Sequence, residues 1–414
     1  MTAHDTGNQT AEIVADLLSP ATLEDPYPLY ARLRQLGPVQ RTPAGFCLVT
    51  HYDHCSALLH HPALRKDPAA GLRLRGFPDW TDHLALRAMF LSMLFRNPPD
   101  HTRLRRLVSK AFTARRIAEL EPAVRALAAG LLDDMAALAA DGETVDLMEA
   151  LAFPLPVAVI GELLGVPPAD RAQFQTLVRD FSLVLELAVS SDMVANADEA
   201  ARRMEDYFRD LVAERRRRPA GDLVSALAAA EDAGDRLSHE ELLVMLGLLL
   251  AAGFETTTNL VGNGMMALLR QPDQLARWRL EPGLTDPAVE ELLRFDGPVQ
   301  LTGRSAPEPV PVGDDRLEPG ELVLLLLGAA NRDPARFPDP DRLRLDRPDN
   351  RPLSFGGGIH YCLGAALARL EARVAFPALL ARFASIELAG PAVRRPSLSL
   401  RGFLQLPLAL VPAP

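Results

Sequence analysis

Apolar residues crowd one stretch of this chain more densely than any other. Residues 242–269 are Leu, Val, Met, Ala, Gly and Phe with few polar breaks. A helix apolar nearly all round belongs inside a protein body. Ser238-His239-Glu240-Glu241 stands just before it, a serine with a glutamate three residues on, the pattern by which two side chains cap a helix start reciprocally. A helix of about 30 residues would run roughly 45 Å. Helical periodicity also fills most of residues 87–279, and residues 365–380 are helix-like. Asp25-Pro26-Tyr27-Pro28-Leu29-Tyr30 predicts a short helix ending near Gly37. Residues 39–41 and 46–50 predict paired strands around Pro43-Ala44-Gly45. Residues 298–346 are rich in proline, glycine and charge and offer one strand, 321–327, while short strands between prolines follow Pro391. The expected fold is mostly α with small β-sheets. Residues 25–414 are expected to form a single domain behind a polar, flexible segment, 1–24, with no internal repeat and no interdomain linker.

The long apolar helix is interrupted at Ala251-Ala252-Gly253-Phe254-Glu255-Thr256-Thr257. A carboxylate and hydroxyls are costly in an apolar interior unless they serve something. Gly253 weakens the helical ladder, and a threonine there can bond a freed carbonyl. Small residues in mid-helix also suit a plain helix crossing, and the segment by itself allows both readings.

The chain has 414 residues with 48% hydrophobic content, ample for a large core, and a net charge of −10, which argues against nucleic-acid binding. Three cysteines make no disulfide framework and suit a reducing compartment. The first 20 residues hold no apolar run of signal-peptide type, and no run of about 18 uninterrupted apolar residues predicts a membrane span. The expected location is the cytoplasm. Arg215-Arg216-Arg217-Arg218 reads as a solvated helix end favoured by the helix dipole. Cys47 and Cys55 read as small buried hydrophobes.

Cys362 is different. It lies in Phe355-Gly356-Gly357-Gly358-Ile359-His360-Tyr361-Cys362-Leu363-Gly364, a glycine-rich loop running into a helix. Glycines let a large planar group approach the backbone, Phe355 offers an apolar wall, and a thiolate is favoured near a helix N-terminus. The pattern Phe-x-x-Gly-x-His-x-Cys-x-Gly resembles the cytochrome P450 family of haem-thiolate monooxygenases, over roughly residues 25–410. That resemblance implies haem b buried between the long helix and the Cys362 loop, with Cys362 as the iron's proximal ligand. Residues 251–257 are similar to the family's Ala/Gly-Gly-x-Asp/Glu-Thr-Thr element. By that resemblance Thr256 lies beside dioxygen and Glu255 helps relay protons to it. Glu291 and Arg294, at i and i+3, match the family's Glu-x-x-Arg scaffold pair; the partner of that pair is expected in the irregular segment holding Asn331-Arg332-Asp333-Pro334 and Phe337-Pro338. Haem propionates are expected to meet His101 and Arg105, which share a helix face, Arg304, and His360; Phe355, Gly358 and Gly364 complete the cofactor contacts. Asn97 stands where the family text usually has Asp.

On the helix of His101, the residues Arg103, Arg106 and Lys110 fall on the opposite face. They read either as a docking patch for an acidic electron carrier or as an ordinary solvated face. No Gly-x-Gly-x-x-Gly unit followed by an acidic residue points to a flavin or nicotinamide site. The resemblance therefore implies a ferredoxin and a ferredoxin reductase as electron donors. Substrate contacts are expected within residues 72–95, 174–196, 246–252, 299–301 and 402–404, whose apolar content suits a lipophilic small molecule. Composition resembles actinobacterial enzymes that oxidise natural products, by hydroxylation or epoxidation. Coupling, desaturation or multi-step oxidation by the same haem stays open, as does a haem sensor or carrier without turnover.

Overall fold

The computed structural model describes residues 3–232 and 237–414. The chain folds as two compact units. The first comprises Met1–Gly76, Asn259–Cys362 and Gly390–Leu406; the second comprises Phe77–Thr258, Leu363–Ala389 and Pro407–Pro414.

In the first unit a four-stranded sheet runs in the order Gln40–Arg41, Phe46–Val49, Leu322–Leu325, Thr302–Ser305. The first two strands pair as a hairpin, Gln40 opposite Leu48 and Arg41 opposite Cys47, with Gly45 at φ 87° in the turn. Phe46–Val49 and Leu322–Leu325 run parallel, and Thr302–Ser305 closes the other edge antiparallel. Cys47, Val49, Val323 and Leu325 join Cys55, Leu58 and Leu59 of the helix Tyr52–His60 in one apolar cluster. Cys47 and Cys55 are thus core residues, and burial pushes the Cys47 thiol up to about 12. The proline-rich stretch holds more strand than expected: Thr302–Ser305, Val310–Val312 and Asp315–Leu317 accompany Leu322–Leu325. These strands are three or four residues long, too short for period-2 alternation to stand out. The helix Tyr27–Gln35 ends where expected, with Gly37 at φ 120°. The N-terminal segment departs from expectation. Ala3–Leu17 is a helix, because Ile13 and Leu17, one turn apart, are both buried, as is Thr10.

Glu291 and Arg294, on the helix Thr285–Phe295, have no side-chain exposure. Arg294 donates from Nε and Nη2 to the two carboxylate oxygens, each at 2.8 Å. Arg347 donates from Nε to the same oxygens at 3.1 Å, and the Arg344 amide and Asn350 Nδ2 donate at 2.8 and 2.9 Å. Arg294 Nη1 reaches the carbonyls of Asn331 and Pro340, both at 2.9 Å. The charged third partner is therefore Arg347. The stretch around Asn331 and Phe337 contributes a carbonyl and an aromatic face, the Phe337 ring lying 5.3 Å from the Arg294 guanidinium.

In the second unit the helix Ala114–Ala140 packs along Ala365–Arg382, and Ser191–Arg217 packs on Phe174–Ser182 and Leu84–Phe90. Phe383–Leu388, Pro407–Pro412 and Val145–Asp146 form a three-stranded antiparallel sheet. In the arginine run, Arg215 donates to Asp222 and to the Gly165 carbonyl, while Arg216, Arg217 and Arg218 are exposed.

The long helix spans His239–Leu269. Its expected cap forms reciprocally: the Glu241 amide donates to Ser238 Oγ at 3.1 Å, and the Ser238 amide donates to Glu241 Oε2 at 2.9 Å. Among the described residues it is the one helix long and apolar enough to cross a membrane, and 72% of its most apolar window is buried inside the protein. A core helix passes the same length and composition test.

Removing the Glu291 carboxylate would strand two buried guanidiniums. Glu291→Ala is expected to cost about 3–5 kcal/mol, read by urea unfolding; a loss below about 1 kcal/mol, the range of an exposed pair, would contradict the buried arrangement.

Candidate active site

The Cys362 loop is a closed turn. The Cys362 amide donates to the Phe355 carbonyl at 2.9 Å, Gly356 N to Leu353 O at 2.8 Å, and Tyr361 N to Gly358 O at 3.1 Å. Its base is pinned as well: Leu353 N donates to Asn331 Oδ1 at 2.7 Å, and Ser354 Oγ donates to the Leu293 carbonyl at 2.7 Å. Gly356 and Gly358 adopt φ of 68° and 63°, a region that favours glycine. The glycines do not all serve the purpose expected of them. A Cβ on Gly358 would lie 2.4 Å from the Leu59 carbonyl oxygen, and one on Gly357 would lie 2.7 Å from the His60 ring. These two let the loop sit on the helix Tyr52–His60. Gly364 differs: a Cβ there meets nothing within 4 Å, so space is open at this position, two residues after Cys362 and immediately before the helix Ala365–Arg382. Cys362 and His360 are half-buried, while Ile359 and Tyr361 are exposed.

On the long helix, Glu255 and Thr257 are buried and Thr256 is half-buried. Thr256 Oγ1 donates to the Ala252 carbonyl at 3.1 Å, the i−4 bond foreseen for a threonine there. Ala252 itself is exposed although its neighbours Ala251 and Phe254 are buried. An exposed alanine in mid-core, one turn from the threonine, marks an open face on this helix. The crossing reading holds. A Cβ on Gly253 would lie 2.6 Å from Ile160 of the helix Pro154–Leu164, and the Phe254 ring packs edge-on against Phe153 at 5.3 Å. Gly253 thus serves a close crossing, and the crossing turns Ala252 and Thr256 to the open side.

His101 and Arg105 lie one turn apart on the helix Asp100–Ser109, His101 buried and Arg105 half-buried. Burial, then the Arg105 charge, hold the His101 imidazole below its usual pKa. Arg304 is placed within the strand Thr302–Ser305 and is buried. Its guanidinium donates to Thr302 Oγ1 at 3.1 Å and to the Gly303 carbonyl at 2.8 Å, both neutral, and burial lowers it to about 10.

The basic face on the same helix needs correction. Arg103 is not an open member of it: Nη1 and Nη2 donate to Glu241 at 3.1 and 2.5 Å, so its charge is spent on the cap of the long helix. Helical spacing cannot show such a partner, which lies 138 residues away. Arg106 and Lys110 remain exposed.

These features fit a haem. In the first unit the thiol stands in a hydrogen-bonded loop and a buried guanidinium donates to neutral oxygens; in the second, the long helix offers an open face carrying a hydroxyl. Such a donor set suits a planar ring with anionic side arms.

A family model for cytochrome P450 matches residues 47–282 and 283–408. The cytochrome P450 monooxygenase PikC of Streptomyces venezuelae is 45% identical over 395 residues, 93% of this chain and 91% of that protein. The 6-deoxyerythronolide B hydroxylase of Saccharopolyspora erythraea is 40% identical over 414 residues, 96% of this chain and 99% of that one. Among solved structures, ligand-free Mycobacterium smegmatis CYP164A2 aligns with a TM-score of 0.88 at 41% identity, over 96% of this chain and 100% of that chain. The chain belongs to the cytochrome P450 family. It has the mostly helical P450 fold, and it is an oxidoreductase of the monooxygenase class with a haem-thiolate cofactor.

Proposed function

We propose that this chain uses haem b, dioxygen and two electrons to hydroxylate or epoxidise a lipophilic small molecule in secondary metabolism. The observation that carries this reading is the pinned Cys362 loop, which holds one thiol just before the start of a helix. Haem bound through that thiolate supplies the redox steps and O–O cleavage. Cys362 would bind the iron. Gly364 and the Phe355 wall would admit the ring, and His101, Arg105, Arg304 and His360 would hold its propionates. Thr256 keeps its own hydrogen on the Ala252 carbonyl, so its oxygen is left to accept. Glu255, one residue away, holds a proton and passes it on through the hydroxyl. The apolar helix around them limits bulk water.

The names of the relatives support the substrate class: one is a 6-deoxyerythronolide B hydroxylase, another a P450 monooxygenase from Streptomyces. Residues 25–414 act together as one haem-thiolate domain in the cytoplasm, without a membrane span; the burial of the long helix supports this. Electrons come from a ferredoxin and its reductase, with no flavin or nicotinamide held by this chain. Arg106 and Lys110 attract the acidic carrier.

Dithionite-reduced protein under carbon monoxide is expected to show a strongly red-shifted Soret band; an unshifted band in undenatured protein would remove Cys362 as ligand. Thr256→Ala is expected to keep its haem and send reducing equivalents to peroxide, lowering product per electron by about tenfold or more. Unchanged coupling would take Thr256 out of proton delivery. Electron transfer from ferredoxin should slow as salt rises, and Arg106→Glu with Lys110→Glu should slow it and flatten that dependence; a salt-insensitive rate in the parent protein would end the docking assignment.

A further inference from the structure

Histidine is unevenly spread along this chain. Four of the nine, His51, His54, His60 and His61, fall between residues 51 and 61. A histidine-rich tract is a compositional mark of metal binding, but it counts only where the fold brings rings together. The fold does so for two of them. His51 stands at the N-cap of the helix Tyr52–His60, and His54 lies in its first turn. Their ring centroids are 5.4 Å apart, with the planes tilted by 56°. His60 and His61 sit at the far end of the helix. Their Nδ1 atoms are engaged locally, with the Ser56 carbonyl at 2.8 Å and the Ala63 amide at 3.3 Å.

The first pair has no such engagement. Among the described residues the Nδ1 atoms of His51 and His54 are both buried, and neither has a hydrogen-bond partner. Buried polar atoms are nearly always satisfied, and an exception calls for a water, an ion or a functional cause. Capping does not occupy His51, because Asp333 caps this helix instead, accepting from the Tyr52 amide at 2.8 Å. The surroundings favour neutral rings. A helix N-terminus disfavours a cation. Burial holds the His51 imidazole below its usual pKa, against the pull of the Asp333 charge. Neutral imidazole is the form that binds metals. With metal–nitrogen bonds of about 2.0–2.1 Å, two imidazoles on one tetrahedral ion have ring centroids about 5 Å apart, close to the spacing here. The turn at Gly313, φ 60°, crowds the other edge of His54: a Cβ there would lie 2.9 Å from Nε2. That leaves Nδ1 as the ligating atom. No group of three or more histidine, cysteine or carboxylate ligands forms among the described residues, so water would fill the remaining positions, and the ion must be one that favours nitrogen.

We propose that His51 and His54 form a two-imidazole site for a late first-row divalent cation: zinc, copper(II) or nickel. An ion there would clamp the first turn of the helix on which Gly357 and Gly358 seat the Cys362 loop. The site does not rest on the functional reading of Cys362.

The experiment is equilibrium dialysis of untagged, EDTA-washed holoprotein against zinc chloride, for the parent, His51→Gln, His54→Gln and His60→Gln. The parent should bind zinc. His51→Gln and His54→Gln should each weaken that binding about tenfold or more, since losing even an outer partner of a ligand costs that much. His60→Gln should leave it unchanged. Magnesium chloride should not displace the zinc, because magnesium takes oxygen ligands. Diethyl pyrocarbonate labelling of the parent, read by peptide mass spectrometry, frees the test from the folding of any variant: zinc should protect His51 and His54 together and leave His60 as reactive as before. A parent that binds no zinc overturns the proposal. So do equal zinc affinities in the parent, His51→Gln and His54→Gln, an equal loss in His60→Gln, or displacement by magnesium. Labelling of His51 and His54 that is indifferent to zinc overturns it as well.

Discussion

The Glu291 carboxylate holds the irregular part of the first unit in place. Its two oxygens receive Arg294, Arg347, the Arg344 amide and Asn350, so a stretch with almost no regular structure between residues 331 and 350 is fixed on one helix. Arg294 then ties the Asn331 carbonyl, and the Asn331 side chain meets both Leu353 N and Ser354 Oγ. The next residue is Phe355, whose carbonyl closes the Cys362 turn. The thiol is thus positioned through a continuous line of hydrogen bonds that starts at a buried charge. Buried ion pairs add little stability compared with apolar packing, because desolvation offsets their attraction. Their value here is geometric. A carboxylate with five directed donors admits one arrangement of the coil, where an apolar contact would admit many.

The long helix carries a second constraint. Gly253 is needed for the crossing at Ile160, and Thr256, the residue proposed to serve oxygen activation, lies within one turn of it. The crossing and the open face are therefore two sides of one feature. Close approach on one face rotates the helix so that Ala252 and Thr256 face open space on another. The N-terminus of this helix is also bound to the helix of His101, since Glu241 serves as cap and as the partner of Arg103. A residue that looked like part of a basic surface is instead a strut between two helices that carry functional groups.

Local rules read much of this protein correctly. The capping box at Ser238, the hairpin around Gly45, the helix ending at Gly37 and the buried state of Cys47 and Cys55 follow from interactions within a few residues or from apolar pattern. The short strands among prolines and the N-terminal helix were missed because three-residue strands carry no period and because two apolar residues one turn apart are a weak signal. In the site, the motif around Cys362 and the Glu-Thr pair stood out because they break the apolar pattern with chemistry the surroundings do not need.

The sequence by itself determined the helix-rich class, the haem-thiolate motif and the local starts and stops of its elements, because each depends on neighbours along the chain. Tertiary structure alone decided which charges are spent and which remain. Arg347 joins Glu291 across 56 residues, Arg103 joins Glu241 across 138, and Lys66 meets Thr302 across 236. Charge pairing is a matter of distance in space and of desolvation on burial, and neither quantity is written in the order of the residues.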